Sequence, residues 1–373
     1  MRIAHLTSAH PRFDARIFLK ECGSFAKRGH DVVLIVADGQ GPACVGGVEI
    51  VDVGSASSRL RRMTGAARRV VSRAADLNCD VYHLHDPELL PYASQLKRIG
   101  KVIYDAHEDL PSQILSKPYL NHRMRIPVAA LAAKLQYHFC RRLDGVVSAT
   151  PHIRDTFLKQ NIESIDVNNF PILDEFGSVD NSVTQREAQI SYIGSISLTR
   201  GFREIVNASQ LVKSNITINI AGPIGDESLR REIHSGGRIK VHGFLEREDV
   251  RELLSHSTAG LVTLHPTPSY LHALPVKMFE YMAAGIPVIA SDFPLWRHIV
   301  NQNDCGICVD PHSPEEIARA MNYFIEHPEE ARRMGANGRQ AVETIYNWKT
   351  EEDKLMNYYE SITSKAIKSN KVN

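Results

Sequence analysis

The stretch Leu271-His-Ala-Leu-Pro275-Val-Lys277-Met-Phe-Glu280-Tyr-Met-Ala-Ala-Gly285-Ile-Pro287-Val-Ile-Ala-Ser-Asp292 decides how the rest of the chain is read. Met278 to Ala284 reads as a short helix, with Met278, Phe279 and Met282 at core-facing spacing. Gly285 supplies the helix stop, and Pro287 opens an apolar run, Val288-Ile289-Ala290, that reads as a buried strand. Lys277 and Glu280 are three apart, so one face near the start of this helix carries a cation and a carboxylate. Free N–H groups and the helix dipole make that end an anion site, and a lysine beside it strengthens the pull on phosphate. A carboxylate can accept hydrogen bonds from two sugar hydroxyls, so phosphate and sugar together suggest a nucleotide. An ordinary amphipathic helix–strand unit explains the apolar residues and leaves Lys277 and Glu280 without a reason.

A chain of 373 residues is long for a single core and favours two domains. Its 43% hydrophobic and 23% charged content fits a soluble globular protein. No apolar run approaches the roughly 20 residues of a membrane span, and MRIAHLTSAH lacks the apolar region of a signal peptide. Six scattered cysteines suit a reducing cytoplasm better than a disulfide frame. Cys305 and Cys308 have metal-site or redox spacing, but they flank a glycine turn entering a strand and no second pair exists. Net charge is only +1, yet residues 1–170 hold 23 Lys and Arg against 17 Asp and Glu, while the remainder holds 21 against 26. A basic N-terminal half points to an anionic partner there.

From the start, Arg2 to Thr7 reads as a strand, Ala15 to Arg28 as a helix stopped at Gly29, and Val32 to Val36 as a second strand. That alternation is the signature of a parallel, doubly wound sheet. No G-x-G-x-x-G follows the first strand, which argues against a nicotinamide enzyme. Asp14 and Arg16 fall where strand meets helix, the edge at which such sheets bind ligands; an Asp N-cap with a solvated Arg is the alternative. After a strand at Val48 to Val53 comes a run with Arg59, Arg61, Arg62, Arg68, Arg69 and Arg73, and a second basic stretch spans Arg123 to Arg142 around Ile126. Together they are either a solvated face or one that docks on anionic lipid, each basic residue contributing about 1 kcal/mol. Few aromatics interleave, so nucleic acid is not the expected partner.

His83, His85 and Asp86 lie at one strand end, and His107 and Glu108 end the strand Lys101 to Asp105. His83 and His85 share a strand face, so a metal-dependent hydrolase is the sharpest rival reading from residues alone. A substrate pocket at strand tips explains the same residues with no metal. Asp144 to Ala149 reads as the last strand of the first domain, with a helix after Pro151, and Phe176 to Glu187 as a polar linker. Ile190 to Gly194 is a strand and glycine turn, and Arg200-Gly201 before a helix again suits a diphosphate. Two further strand–turn units end at Gly222 and at Gly243-Phe244. Helices at Pro314 to Glu326 and Pro328 to Ile345, a final helix from Trp348 to about Ser361 and a frayed polar tail complete the chain.

The form P-x-K-x-F-E-Y-M-A-A-G-x-P-V-I-A-S-D at 275–292 closely resembles the donor-binding motif of the retaining, family-four type glycosyltransferases with the two-domain GT-B fold. The resemblance covers essentially the whole chain and is sharpest at 271–292, 101–109 and 10–21. It implies two Rossmann-like α/β domains of parallel sheet facing across a cleft: 1–170 for the acceptor, a linker at 171–187, and 188–345 for the nucleotide sugar. Residues 346–373 are then a helix returning to the first domain.

The implied reaction moves a hexose or N-acetylhexosamine from a nucleotide-diphosphate sugar to an acceptor saccharide. A lipid-linked acceptor is expected, in polysaccharide, O-antigen, capsule or exopolysaccharide synthesis, on the inner face of the cytoplasmic membrane. Anomeric configuration is retained by front-side attack, with the leaving phosphate taking the acceptor proton. No cofactor and no metal are implied; Arg200 and Lys277 stabilise the diphosphate instead. By the same resemblance Glu280 holds the ribose and His107 stands against the donor sugar. Gly194, Ser195, Gly222, Gly243 and Phe244 line the nucleotide, with His272, Leu274 and Pro275 completing the donor site. Asp14, Arg16, Asp86 and Glu108 fall to the acceptor or cleft. Two departures stand out: Ser195 replaces the family's Arg after the glycine, and His272 replaces the first of its paired glutamates. They keep open the reading of a catalytically silent nucleotide-sugar-binding protein, and a nucleotide-sugar 2-epimerase on the same fold is the other rival.

Overall fold

A computed structural model of the chain describes residues 1–117, 120–177, 188–225, 229 and 238–369. It divides into two compact units, Met1–Asn169 with Lys349–Asn373, and Phe170–Trp348.

The first unit is built on β1 (Arg2–Leu6), β2 (Asp31–Val36), β3 (Ala43–Val45), β4 (Val48–Asp52), β5 (Val81–Leu84), β6 (Lys101–Ala106), β7 (Gly145–Ser148) and β8 (Ser164–Asp166). Their order is β3-β4-β2-β1-β5-β6-β7-β8, parallel except for the β3–β4 hairpin. Strands such as Val-Val-Leu-Ile-Val in β2 are apolar throughout because helices cover both faces of the sheet. The chain steps outward from β1 to β2 on one side and returns to β5 on the other. The carboxyl ends of β1 and β5 therefore form the switch point at which open α/β sheets bind ligands. The helix after β1 begins with wide turns over Ala15–Cys22 and continues as Gly23–Lys27. Asp14 caps it, accepting from the N–H groups of Arg16 at 2.9 Å and Ile17 at 3.0 Å. The final helix runs from Trp348 to Ser369, well past the expected end near Ser361 and into the expected tail. It is bound to this unit through Tyr359, whose hydroxyl lies 2.7 Å from His83 Nδ1, and through Glu351, which accepts from Asn168 N–H at 2.8 Å.

The second unit carries β9 (Gln189–Ile193), β10 (Thr217–Ala221), β11 (Ile239–Gly243), β12 (Ala259–Val262), β13 (Val288–Ser291) and β14 (Gly306–Val309), ordered β11-β10-β9-β12-β13-β14 and wholly parallel. Its switch point lies between β9 and β12. The decisive helix spans Val276–Ala283, with Met278, Phe279 and Met282 fully buried. Gly285, at φ +66°, ends it: Gly285 N–H donates to Met282 O at 3.0 Å and Ile286 N–H to Tyr281 O at 3.1 Å. That pair of bonds needs a left-handed residue, so glycine is the stop here for a conformational reason. Of the segment expected as linker, residues 178–187 lie outside those described. Leu173–Phe176 forms a single helical turn, and Phe170 packs in this unit, its ring 4.7 Å from Phe279 and 5.3 Å from Tyr346. Residues 370–373 of the expected tail also lie outside the described range.

Candidate active site

At the switch point of the first unit the polar side chains are buried and mutually satisfied. Arg16 donates to both oxygens of Asp105 at 2.8 Å and to Val167 O at 2.7 Å. It is 4% exposed, with its fork turned to Asp105 and Val167 rather than to solvent. The solvated-Arg alternative fails, while the Asp14 cap is present. Asp105 in turn lies 2.9 Å from His107 Nε2 and 3.4 Å from His85 Nδ1. Burial alone would raise the Asp105 carboxyl, but Arg16 and His107 hold it well below the usual range. A His107 that donates its Nε2–H to Asp105 carries its lone pair on Nδ1, the arrangement a sugar hydroxyl can use.

Asp86, 2% exposed, accepts from Thr7 O–H at 2.8 Å and from Ser8 N–H at 2.6 Å, so one of its oxygens shapes the β1 turn. The other faces His10 Nε2 at 3.5 Å. Burial alone would lower His10, yet the Asp14 hydrogen bond and the Asp86 charge raise it; its partner Asp14 is held well below the usual carboxylate range despite burial. Glu108 is exposed and pairs with Gln113.

Beneath this layer lie His5, Glu21, His83 and His85, all buried. Burial drives His5 and His83 well below the ordinary imidazole value and His85 to about 4, while burial and the Asp105 charge push Glu21 well above the carboxylate range. Of these four, sequence reasoning had singled out only the two histidines of β5. His5 sits in an ordinary apolar strand and Glu21 in the wide-turned start of the following helix, and no local sequence signal marks either.

The second unit's edge is the opposite in character. Gly194, Gly222 and Gly243 stand at the carboxyl ends of β9, β10 and β11. Gly194 has φ +121°, and a Cβ there would lie 3.3 Å from Lys277 Nζ and 3.5 Å from Arg200 Nη1, so both cations converge on this glycine. A Cβ on Gly222 would come within 2.1 Å of Gly194 O, so the adjoining turn must also lack a side chain. Lys277 is 8% exposed, its Nζ is 3.7 Å from the Tyr192 ring centroid, and it has no hydrogen-bond partner among the described residues. Burial, reinforced by the Arg200 charge, lowers its pKa well below the ordinary lysine value although Glu280 opposes the shift. For Arg200 burial is outweighed by the Tyr192 and Tyr270 hydroxyls, which raise it.

Tyr281 fixes the frame: Ile193 N–H donates to its hydroxyl at 2.9 Å, and its ring fills the space a Cβ on Gly260 would take. Trp296 Nε1–H donates to Ala273 O at 2.8 Å and holds the approach to the helix. Leu274, Pro275 and Glu280 are half-buried there, and His272 is exposed. Ser195 is exposed and its carbonyl accepts from Tyr192 O–H at 2.9 Å; Phe244 is 73% exposed just beyond β11. Tyr192 and Tyr281 were not foreseen, though both sit within the stretches the sequence marked. A third group, Glu204, His265 and His312, also has ligand atoms close enough to share an ion and is partly exposed.

The family model described as Glycosyltransferase Family 4 matches residues 16–168, and the one described as Glycosyl transferases group 1 matches residues 178–341. The chain is 24% identical over 302 residues to the D-rhamnosyltransferase WbpZ of Pseudomonas aeruginosa, covering 76% of this chain and 74% of that protein. It is 24% identical to the alpha-D-kanosaminyltransferase of Streptomyces kanamyceticus, covering 67% and 70%. In fold it is similar to the sucrose-phosphate synthase of Thermosynechococcus elongatus, with a TM-score of 0.78 at 16% identity over 98% of this chain and 99% of that one. It is also similar to Anabaena HepE, solved with UDP-glucose, with a TM-score of 0.73 at 15% identity over 97% and 100%.

Proposed function

The chain belongs to the family-four glycosyltransferases of the GT-B fold, and on that premise we propose that it moves a hexose or N-acetylhexosamine from a nucleotide-diphosphate sugar to a lipid-linked saccharide, with retention, in cell-surface polysaccharide synthesis. The observation that carries this reading is the convergence of Arg200 and Lys277 on the bare turn at Gly194, beside the helix that presents Glu280. Two cations at a side-chain-free sheet edge suit a diphosphate, and UDP-glucose in the HepE structure supports that donor class.

The bond from the anomeric carbon to the phosphate oxygen breaks as the acceptor oxygen bonds to that carbon, and the acceptor proton passes to the departing phosphate. Arg200 and Lys277 stabilise the charge that develops on the leaving group, without a metal. Glu280 takes the ribose hydroxyls, Phe244 offers a face to the base, and His107, oriented by Asp105, stands against the sugar. Asp14, Asp86 through its free oxygen, and Glu108 are assigned to the acceptor side.

No described helix is long and apolar enough to cross a membrane. The basic stretches nevertheless expose Leu60, Met63, Met124, Ile126, Leu131 and Leu135, which supports docking on an anionic bilayer surface for access to a lipid-linked acceptor. Incubation with a panel of nucleotide sugars and lipid-linked acceptors tests the whole reading. Nucleotide release that requires acceptor supports transfer; acceptor-free inversion at C2 points to an epimerase, and tight binding without turnover to a silent protein. Flotation with anionic and with neutral vesicles checks the membrane part separately.

A further inference from the structure

The buried group under the first unit's switch point has a composition that its surroundings do not explain. β1 and β5 are adjacent and parallel with His5 opposite His83, so His5, His83 and His85 line one sheet face, and the helix over that face supplies Glu21. The four side chains are essentially inaccessible to solvent. Three imidazoles lie with ring centroids 4.7–5.2 Å apart, and Glu21 Oε2, which faces them, has no hydrogen-bond partner among the described residues; His5 Nε2 and His83 Nε2 are also unpartnered but are not the nitrogens nearest Glu21. The ion pair from Arg16 Nε to Glu21 Oε1 at 3.1 Å leaves Oε2 facing the histidines. Orphaned polar atoms at this depth call for a ligand.

From that geometry we propose that His5, Glu21, His83 and His85 form a closed site for a divalent metal of the zinc class. Glu21 Oε2 lies 3.7 Å from His5 Nδ1, 3.7 Å from His83 Nδ1 and 3.9 Å from His85 Nε2, and His5 Nδ1 lies 2.9 Å from His85 Nε2. Four ligands held about 2.0–2.1 Å from a tetrahedral ion stand about 3.3 Å apart, so the longest of these separations must close by about 0.6 Å and the rings must swing out of their stack as the ion binds. Three imidazoles and one carboxylate suit zinc and its borderline-soft neighbours rather than calcium or magnesium, which favour oxygen. Four protein ligands leave no open position, which makes the site structural. Outer support is in place as well: His85 turns its other nitrogen toward Asp105 at 3.4 Å, the carboxylate–histidine arrangement that orients metal ligands. Because Asp105 also holds His107, the ion would fix the tautomer of His85 and, through Asp105, the setting of His107. One group competes: the Tyr359 hydroxyl shares a hydrogen bond with His83 Nδ1 at 2.7 Å and must turn away as the ion binds.

The test uses the full untagged chain, stripped with chelator and titrated with Zn2+ and, separately, with Co2+. The expected result is one ion per chain by elemental analysis, visible absorption of tetrahedral Co2+, and a rise of several degrees in the unfolding midpoint with Zn2+. Tyr359→Phe should bind at least as tightly, and Glu21→Gln and His83→Asn should each lose the ion. His265→Ala, which removes the rival group in the second unit, should leave the count at one ion. Failure of the stripped wild-type chain to take up either ion, or uptake that survives Glu21→Gln and His83→Asn but is lost in His265→Ala, overturns the proposal. Neither outcome decides the donor-site reading, since Arg200, Lys277 and Glu280 lie in the other unit.

Discussion

The two sheet edges are built from the same topology and filled in opposite ways. In the first unit the charges answer one another: Arg16 is locked on Asp105, Asp105 on His107, Asp86 on the β1 turn. In the second, glycines keep the edge bare, and Lys277 is buried over a tyrosine ring with no hydrogen-bond partner among the described residues. An edge saturated with internal bonds can orient a group with little freedom. An edge with an unsatisfied cation holds binding energy in reserve for an anion that has not arrived. Neutralising a buried charge should therefore have opposite consequences in the two units.

The largest effect is expected at Arg16. Arg16→Met strands the Asp105 carboxylate in the core and should destabilise the first unit by about 3–5 kcal/mol, read from denaturant unfolding. An unchanged midpoint would break the contrast at its root. Next, Lys277→Ala and Glu280→Ala should each lower transfer at least ~10²-fold with the fold intact by circular dichroism, since the first removes charge from the leaving diphosphate and the second loosens the ribose that positions it. Near-normal rates in both would sink the donor assignment. By contrast with Arg16→Met, Lys277→Met should raise the stability of the empty protein by roughly 0.5–2 kcal/mol while abolishing tight nucleotide binding, the usual trade at a strained site.

A finer measure of the same reserve is proton uptake. Burial and Arg200 lower the Lys277 pKa, and a bound diphosphate would raise it again. Calorimetry of UDP binding in buffers of different ionisation enthalpy should then show net proton uptake that vanishes in Lys277→Arg, whose guanidinium is charged before and after binding. The smallest effect concerns His10 and Asp14. A raised His10 contributes stability that is full below about pH 6.5 and lost as pH rises through its folded-state value; a depressed Asp14 contributes above about pH 4 and loses this as pH falls. His10→Gln should thus cost most near pH 5, by less than about 1 kcal/mol at this partly exposed site, and almost nothing well above neutrality.

Regular elements with strong local signals were legible in the sequence. The helix at 276–283, its glycine stop and the strand after it follow from spacing and turn chemistry alone, as do Pro314–Glu326 and the strand–helix–strand start. The three-residue strands β3 and β8 were not foreseen, because so short a strand is defined by its neighbour rather than by its own pattern. The glycine edge proposed for the donor was legible as an edge because its glycines and cations are local punctuation. The buried network was not: Arg16 meets Asp105 across 89 positions and Tyr359 meets His83 across 276, and no periodicity carries contacts of that range. At a strand–helix junction an arginine looks available until its carboxylate partner is known.

The helix that carries Tyr359 has a consequence for how the protein is made. Residues 170–348 form a continuous unit, whereas the first unit is completed only by residues from Lys349 onward. A ribosome releases those residues after the entire second unit. The unit begun first is thus finished last, and His83 is without its Tyr359 partner until residues past 348 have been made.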